Sequence, residues 1–65
     1  MSGLFRDLPR AVSMDRQIRA VEREIDMRKQ VYPKRVADNR MSQQFADEEV
    51  AVMEAVLATL KRIAQ

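Results

Sequence analysis

Residues 14–32, MDRQIRAVEREIDMRKQVY, and residues 46–64, ADEEVAVMEAVLATLKRIA, decide the fold. The first stretch places Met14, Ile18, Val21, Ile25, Arg28 and Tyr32 at steps of 4, 3, 4, 3 and 4. The second places Ala46, Val50, Met53, Leu57, Leu60 and Ala64 at the same steps. Alternating threes and fours hold side chains on one stripe of an α-helix, the seam pattern of two helices packed side by side. The pattern therefore predicts an all-α chain built as an antiparallel helical hairpin.

The two ladders also predict a register. Facing residues of an antiparallel pair have a nearly constant sum of residue numbers. Met14 with Ala64, Ile18 with Leu60, Val21 with Leu57 and Ile25 with Met53 satisfy one such sum. The next layer sets Arg28, the only charge on the first ladder, against Glu49 or Val50. Glu49 is the only charge inside the apolar sector of the second helix, so the reading predicts a partly buried Arg28–Glu49 structural pair. Removing one partner of such a pair strands the other charge.

Outward from the ladders, residues 1–12 read as an N-terminal arm and residues 13–65 as the hairpin. Gly3 and Pro9 interrupt local order, and Leu4, Phe5 and Leu8 fall off the stripe that follows. Ser13 is the expected cap of a helix over about 14–32. Pro33 is expected to end that helix, because it lacks a backbone donor and disfavours helical geometry at Tyr32. Residues 33–39 then form a short helical turn closed by Asn39 in a left-handed conformation. Ser42 caps a second helix over about 43–64.

Composition narrows the function. The 65 residues contain no Cys and no His, which removes thiol nucleophiles, His general bases and the usual zinc and haem ligands. No cofactor is expected and no enzyme; a hairpin this short is expected to leave no room for a cleft of about 300–1,000 Å³. No apolar run of about 18 residues is present, so no membrane span is expected. The first residues lack the apolar core of a secretion signal, and a cytoplasmic location is the expectation. Residues 1–40 hold ten Lys/Arg against six Asp/Glu and residues 41–65 two against four, giving the net +2. That is a modest polarity between halves and no polybasic tail.

A chain of this size buries only about 60% of its unfolded surface and is marginal by itself. With disulfides and common metal sites excluded, self-association is the remaining source of stability. Two patterns agree. Ala20, Met27 and Val31 run down a second side of the first helix, and Phe45, Val52, Val56 and Ile63 widen the apolar sector of the second beyond what one partner covers. The expectation is a homodimer in a four-helix arrangement.

Three surfaces remain for other partners. Leu4, Phe5 and Leu8 offer an apolar hook; Tyr32, Arg35 and Arg40 gather residue types common at interfaces around the apex. Arg16, Arg19 and Arg23 form a basic line able to follow a nucleic-acid backbone, although Glu22, Glu24 and Asp26 interleave and no aromatic accompanies it. Residues 35–49 have helix-turn-helix spacing, but Asp47, Glu48 and Glu49 open the second helix and would repel phosphates.

The run from Glu22 through Val31-Tyr-Pro33 and Asn39-Arg-Met-Ser42, with Ala46, Glu49 and Met53-Glu-Ala-Val56 to Leu60, resembles a group of small bacteriophage and prophage proteins, Mu-like phages included. The resemblance covers residues 22–60. Where that group tends to have Gly before Arg-Met, this chain has Asn39. The resemblance implies a phage accessory protein in the host cytoplasm that binds and inhibits or modulates a host regulatory or defence protein, in the manner of an anti-activator or anti-CRISPR protein. Under that reading Leu4, Phe5, Leu8, Tyr32, Arg35 and Arg40 make the contacts. The alternative is a nucleic-acid-binding accessory factor using Arg16, Arg19 and Arg23.

Overall fold

A computed structural model describes residues 11–65. Two helices, α1 (Met14–Ala37) and α2 (Gln43–Ala64), pack against each other as a hairpin, and no strand occurs among the described residues. Both N-termini are capped as the sequence predicts. Ser13 and Ser42 are extended, and their hydroxyls accept from the backbone N–H of Arg16 (3.2 Å) and Phe45 (3.0 Å). Each bond satisfies one of the amide donors that a helix start leaves free.

The first helix does not end at Tyr32. It runs through Pro33 to Ala37, so residues 33–37 are its last turn and make no separate element. The proline ring locks φ near the helical value, and its only obligatory loss is the bond to the carbonyl of Lys29. Pro33 and Lys29 are both exposed, which leaves that carbonyl on the exposed side of the helix. Sequence reasoning overweighted the breaker and missed how little it breaks there.

The true stop follows Ala37. Asn39 has φ 60°, the Asn39 N–H donates to the Val36 carbonyl (3.0 Å), and the Arg40 N–H donates to the Arg35 carbonyl (2.9 Å). Those two bonds around a left-handed residue are a Schellman motif, with Asn39 in the place glycine usually takes. They turn the chain toward Ser42 while satisfying the carbonyls at the helix end.

The core is thin. Among the described residues only Ile25 (6% exposed) and Ala46 (4%) are buried. Ile18, Val21, Tyr32, Val50, Met53, Leu57 and Leu60 on the two ladders are half-buried, and the terminal Ala64 is exposed. The seam runs where the alternating spacing puts it, but two helices enclose little.

Candidate functional site

Arg28 organises the polar part of the seam. Its Nε donates to Glu24 Oε1 (2.9 Å) one turn back on α1, and its Nη1 donates across the seam to the backbone carbonyl of Glu49 (3.0 Å). The Glu49 carboxylate lies 3.8 Å from the same nitrogen. The structure thus places Arg28 against Glu49, but the shorter link is to the Glu49 main chain and the side-chain pair is secondary. A helix carbonyl has a second lone pair free for such a donor. The Tyr32 ring centroid is 5.9 Å from the guanidinium carbon, within cation–π range.

The Arg28 side chain is 20% exposed. The hydrogen bond to Glu24 pushes its pKa above the ordinary arginine value, against partial desolvation; electrostatic interactions with Tyr32, Glu24 and Glu49 act in the same direction. The group stays cationic wherever the protein folds. It serves as a fixed charge and not as a proton donor.

The hairpin has two unlike faces. Positions displaced in the same rotational sense from the two seams of an antiparallel pair emerge on one side. On one side lie Glu22, Lys29, Glu54 and Lys61, joined across the helices as Lys29–Glu54 (3.4 Å) and Glu22–Lys61 (3.6 Å). By the same geometry the opposite side carries Ala20, Met27 and Val31 of α1 with Phe45, Val52, Val56 and Ile63 of α2. Met27 (51%), Phe45 (50%), Val52 (54%), Val56 (39%) and Ile63 (61%) are all strongly exposed there. Charged residues border this apolar strip, with Glu24, Arg28 and Glu49 already bonded to one another.

At the apex, Tyr32 and Arg35 line one small groove of about 120 Å³ together with Met27 and Val31. Arg40 is tied to Arg35 by a backbone bond but does not line that groove; both arginines are exposed. Leu4, Phe5 and Leu8 lie outside the described residues. A second, open groove of about 370 Å³ runs between the helices beside Tyr32, Pro33, Gln43 and Asp47. Its volume falls in the range the sequence reading assigned to larger proteins. Its walls come from both helices, and Pro33 is the only lining residue of α1 beyond Tyr32.

Arg16, Arg19 and Arg23 are exposed on the back of α1, away from the seam. Arg19 is bonded to Asp15 (2.8 Å), which lowers the free charge of the line. In the first turns of α2, Gln43 donates to Asp47 (2.8 Å) and Gln44 to Glu48 (3.2 Å), so acidic groups line the face a helix-turn-helix would present to DNA. Among the described residues no helix is long and apolar enough to cross a membrane. No protein-family model, curated protein or solved structure matches the chain.

Proposed function

We propose that this chain is a non-enzymatic protein-binding module that pairs with a second copy of itself through its apolar face and presents its apex to a partner protein. The observation that carries the reading is the apolar strip across both helices, opposite a side closed by ion pairs. A hairpin with two buried residues among those described gains stability by covering that strip. Exposed large apolar residues grouped on one side mark interaction surfaces far more often than scattered ones do.

Partner binding falls to the apex, where Tyr32 and Arg35 share a groove and Arg40 stands beside them. The resemblance of residues 22–60 to small phage proteins supports a modulator or inhibitor of a host regulatory or defence protein. The acidic start of α2 and the Asp15–Arg19 bond weigh against a nucleic-acid partner.

The test compares wild type with a Tyr32→Ala/Arg35→Ala variant as bait in host lysate, both first checked for helicity and mass. A single protein retained in fixed stoichiometry by wild type and lost with the variant supports the reading. Equal retention by both removes the apex from it. Binding of duplex DNA that weakens steeply with salt, with no protein retained, replaces it by the nucleic-acid alternative.

A further inference from the structure

The apolar side of α2 carries a second ladder, Phe45, Glu49, Val52, Val56, Thr59 and Ile63, again at steps of 4, 3, 4, 3 and 4. We propose that α2 of one copy lies antiparallel along α2 of a second copy, about a two-fold axis passing between Val52 and Val56. The inference rests on the self-pairing reading above and specifies its interface. Any ladder with this spacing reads the same in reverse, so spacing does not choose the partner. The chemistry of the six positions does.

Reversed on itself, the ladder sets Phe45 against Ile63, Val52 against Val56, and Glu49 against Thr59. Large groups meet at the ends and small β-branched ones near the axis, as an isologous interface requires, where residue i meets j and j meets i. The one carboxylate of the strip meets its one hydroxyl, which donates its O–H to the carboxylate oxygen. A parallel pairing would instead stack Glu49 on Glu49, like charges in one partly dry layer. Placing α2 over α1 of the second copy would bring Val52 and Val56 onto Glu24, a charge with no new donor there. The proposed axis also sets the two Glu24 carboxylates opposite each other between the first helices, and there the two Arg28 side chains, each bonded to its own Glu24 (2.9 Å), both stand within the same layer and balance the two charges.

The size is adequate. From Phe45 to Ile63 the ladder spans about 27 Å at 1.5 Å per residue, and two helices about 8–10 Å apart make a strip about 20 Å wide. That gives roughly 500 Å² per copy, or about 1,000 Å² in total, the area at which specific interfaces begin.

The chain has no cysteine, so introduced cysteines report without background. Full-length Val52→Cys and Val56→Cys proteins are mixed and mildly oxidised; Phe45→Cys is oxidised alone. Mass is read by sedimentation under reduction, and helicity by circular dichroism. The expected result is a mass twice 7.6 kDa, with at least about tenfold faster cross-linking in the Val52/Val56 mixture than in Phe45→Cys. In the antiparallel pairing two Phe45 positions lie about 27 Å apart along the axis, against a disulfide limit near 7 Å between Cα atoms. A dimer that cross-links fastest through Phe45→Cys is parallel and overturns the inference while leaving self-pairing intact. A dimer that cross-links in neither way covers α2 with nothing and also overturns it. A monomeric mass at all concentrations, as when the chain's own residues 1–10 cover the strip, overturns self-pairing and the inference together.

Discussion

Truncating Ile25 and Val52 to alanine, one at a time, separates the seam from the apolar face by magnitude. Ile25 is 6% exposed, and Ile25→Ala removes three buried carbons at about 0.8 kcal/mol each, or about 2.5 kcal/mol. The cavity term adds little, because a two-helix seam open on both sides closes up; the total stays near the low end of the usual 2–5 kcal/mol. A domain this small has about 3–5 kcal/mol in all, so Ile25→Ala removes most of it at any protein concentration. Val52 is 54% exposed in the single hairpin. Val52→Ala removes two carbons that are half covered, worth about 0.7 kcal/mol if the hairpin works alone. In the two-fold dimer each copy contributes one Val52 to a covered layer, and the same change costs about 3 kcal/mol per dimer. Urea titration followed by far-UV circular dichroism, at two concentrations about a hundredfold apart, reads both numbers. Wild-type stability rises with concentration in a dimer, and Val52→Ala reduces that rise. A wild-type midpoint independent of concentration, with Val52→Ala costing under about 1 kcal/mol throughout, would refute the covered face. Counted per copy, the expected losses in the dimer are about 2.5 kcal/mol for Ile25→Ala and about 1.6 kcal/mol for Val52→Ala; a per-copy Ile25→Ala loss no larger than that of Val52→Ala would refute the seam as the centre of the fold.

Pro33→Ala should stabilise the protein by about 1–2 kcal/mol: it restores a helix bond and relieves the proline penalty of about 3 kcal/mol, less the lost restriction of the unfolded chain. A lower melting temperature would show that the ring packs where its exposure says it does not. Asn39→Gly should raise stability by up to about 1 kcal/mol because the position is left-handed, and Asn39→Val should lower it; equal melts would remove the turn from the account. Glu49→Gln should shift the urea midpoint less than Arg28→Met does. The former keeps the main-chain carbonyl that Arg28 binds at 3.0 Å, whereas the latter also strands Glu24. The reverse order would mean that the 3.8 Å carboxylate contact governs the layer.

The hairpin and its register were legible because they rest on periodicity. Steps of three and four tolerate no other regular structure, and the layer that sets Arg28 opposite Glu49 follows by counting. Pro33 was misread because propensity treats a missing donor as a stop, although on an exposed side of a helix that costs one bond. The stop at Asn39 is set by two backbone bonds, Asn39 to Val36 and Arg40 to Arg35, and only the residue's tolerance of positive φ shows in sequence. Arg28 binding a main-chain carbonyl was invisible for a similar reason: side chains are spelled out, but the acceptors of the backbone are the same everywhere. The groove beside Tyr32 and Pro33 was missed because its walls come from both helices, which spacing along one helix does not show.

The division of the hairpin into two sides follows from one asymmetry. Glu22, Lys29, Glu54 and Lys61 fall in one rotational sense from the seam and form their pairs within the hairpin. Half-exposed pairs like these contribute at most about 1 kcal/mol each, so their larger effect is to keep that side wet: covering it would desolvate four charges. The other side has Val52, Val56 and Ile63 in the matching places, and the Glu24 and Glu49 that border them are already engaged by Arg28. In the proposed dimer a second copy would therefore meet a favourable surface in one orientation and a costly one in the other, which would fix how two hairpins stack before any specific contact forms. In the proposed stack Tyr32 and Arg35 would stand at one end of the strip, with their groove walled by Met27 and Val31 of that same strip. The two proposed surfaces therefore meet at Met27 and Val31, and a change at either residue should weaken both self-pairing and partner binding.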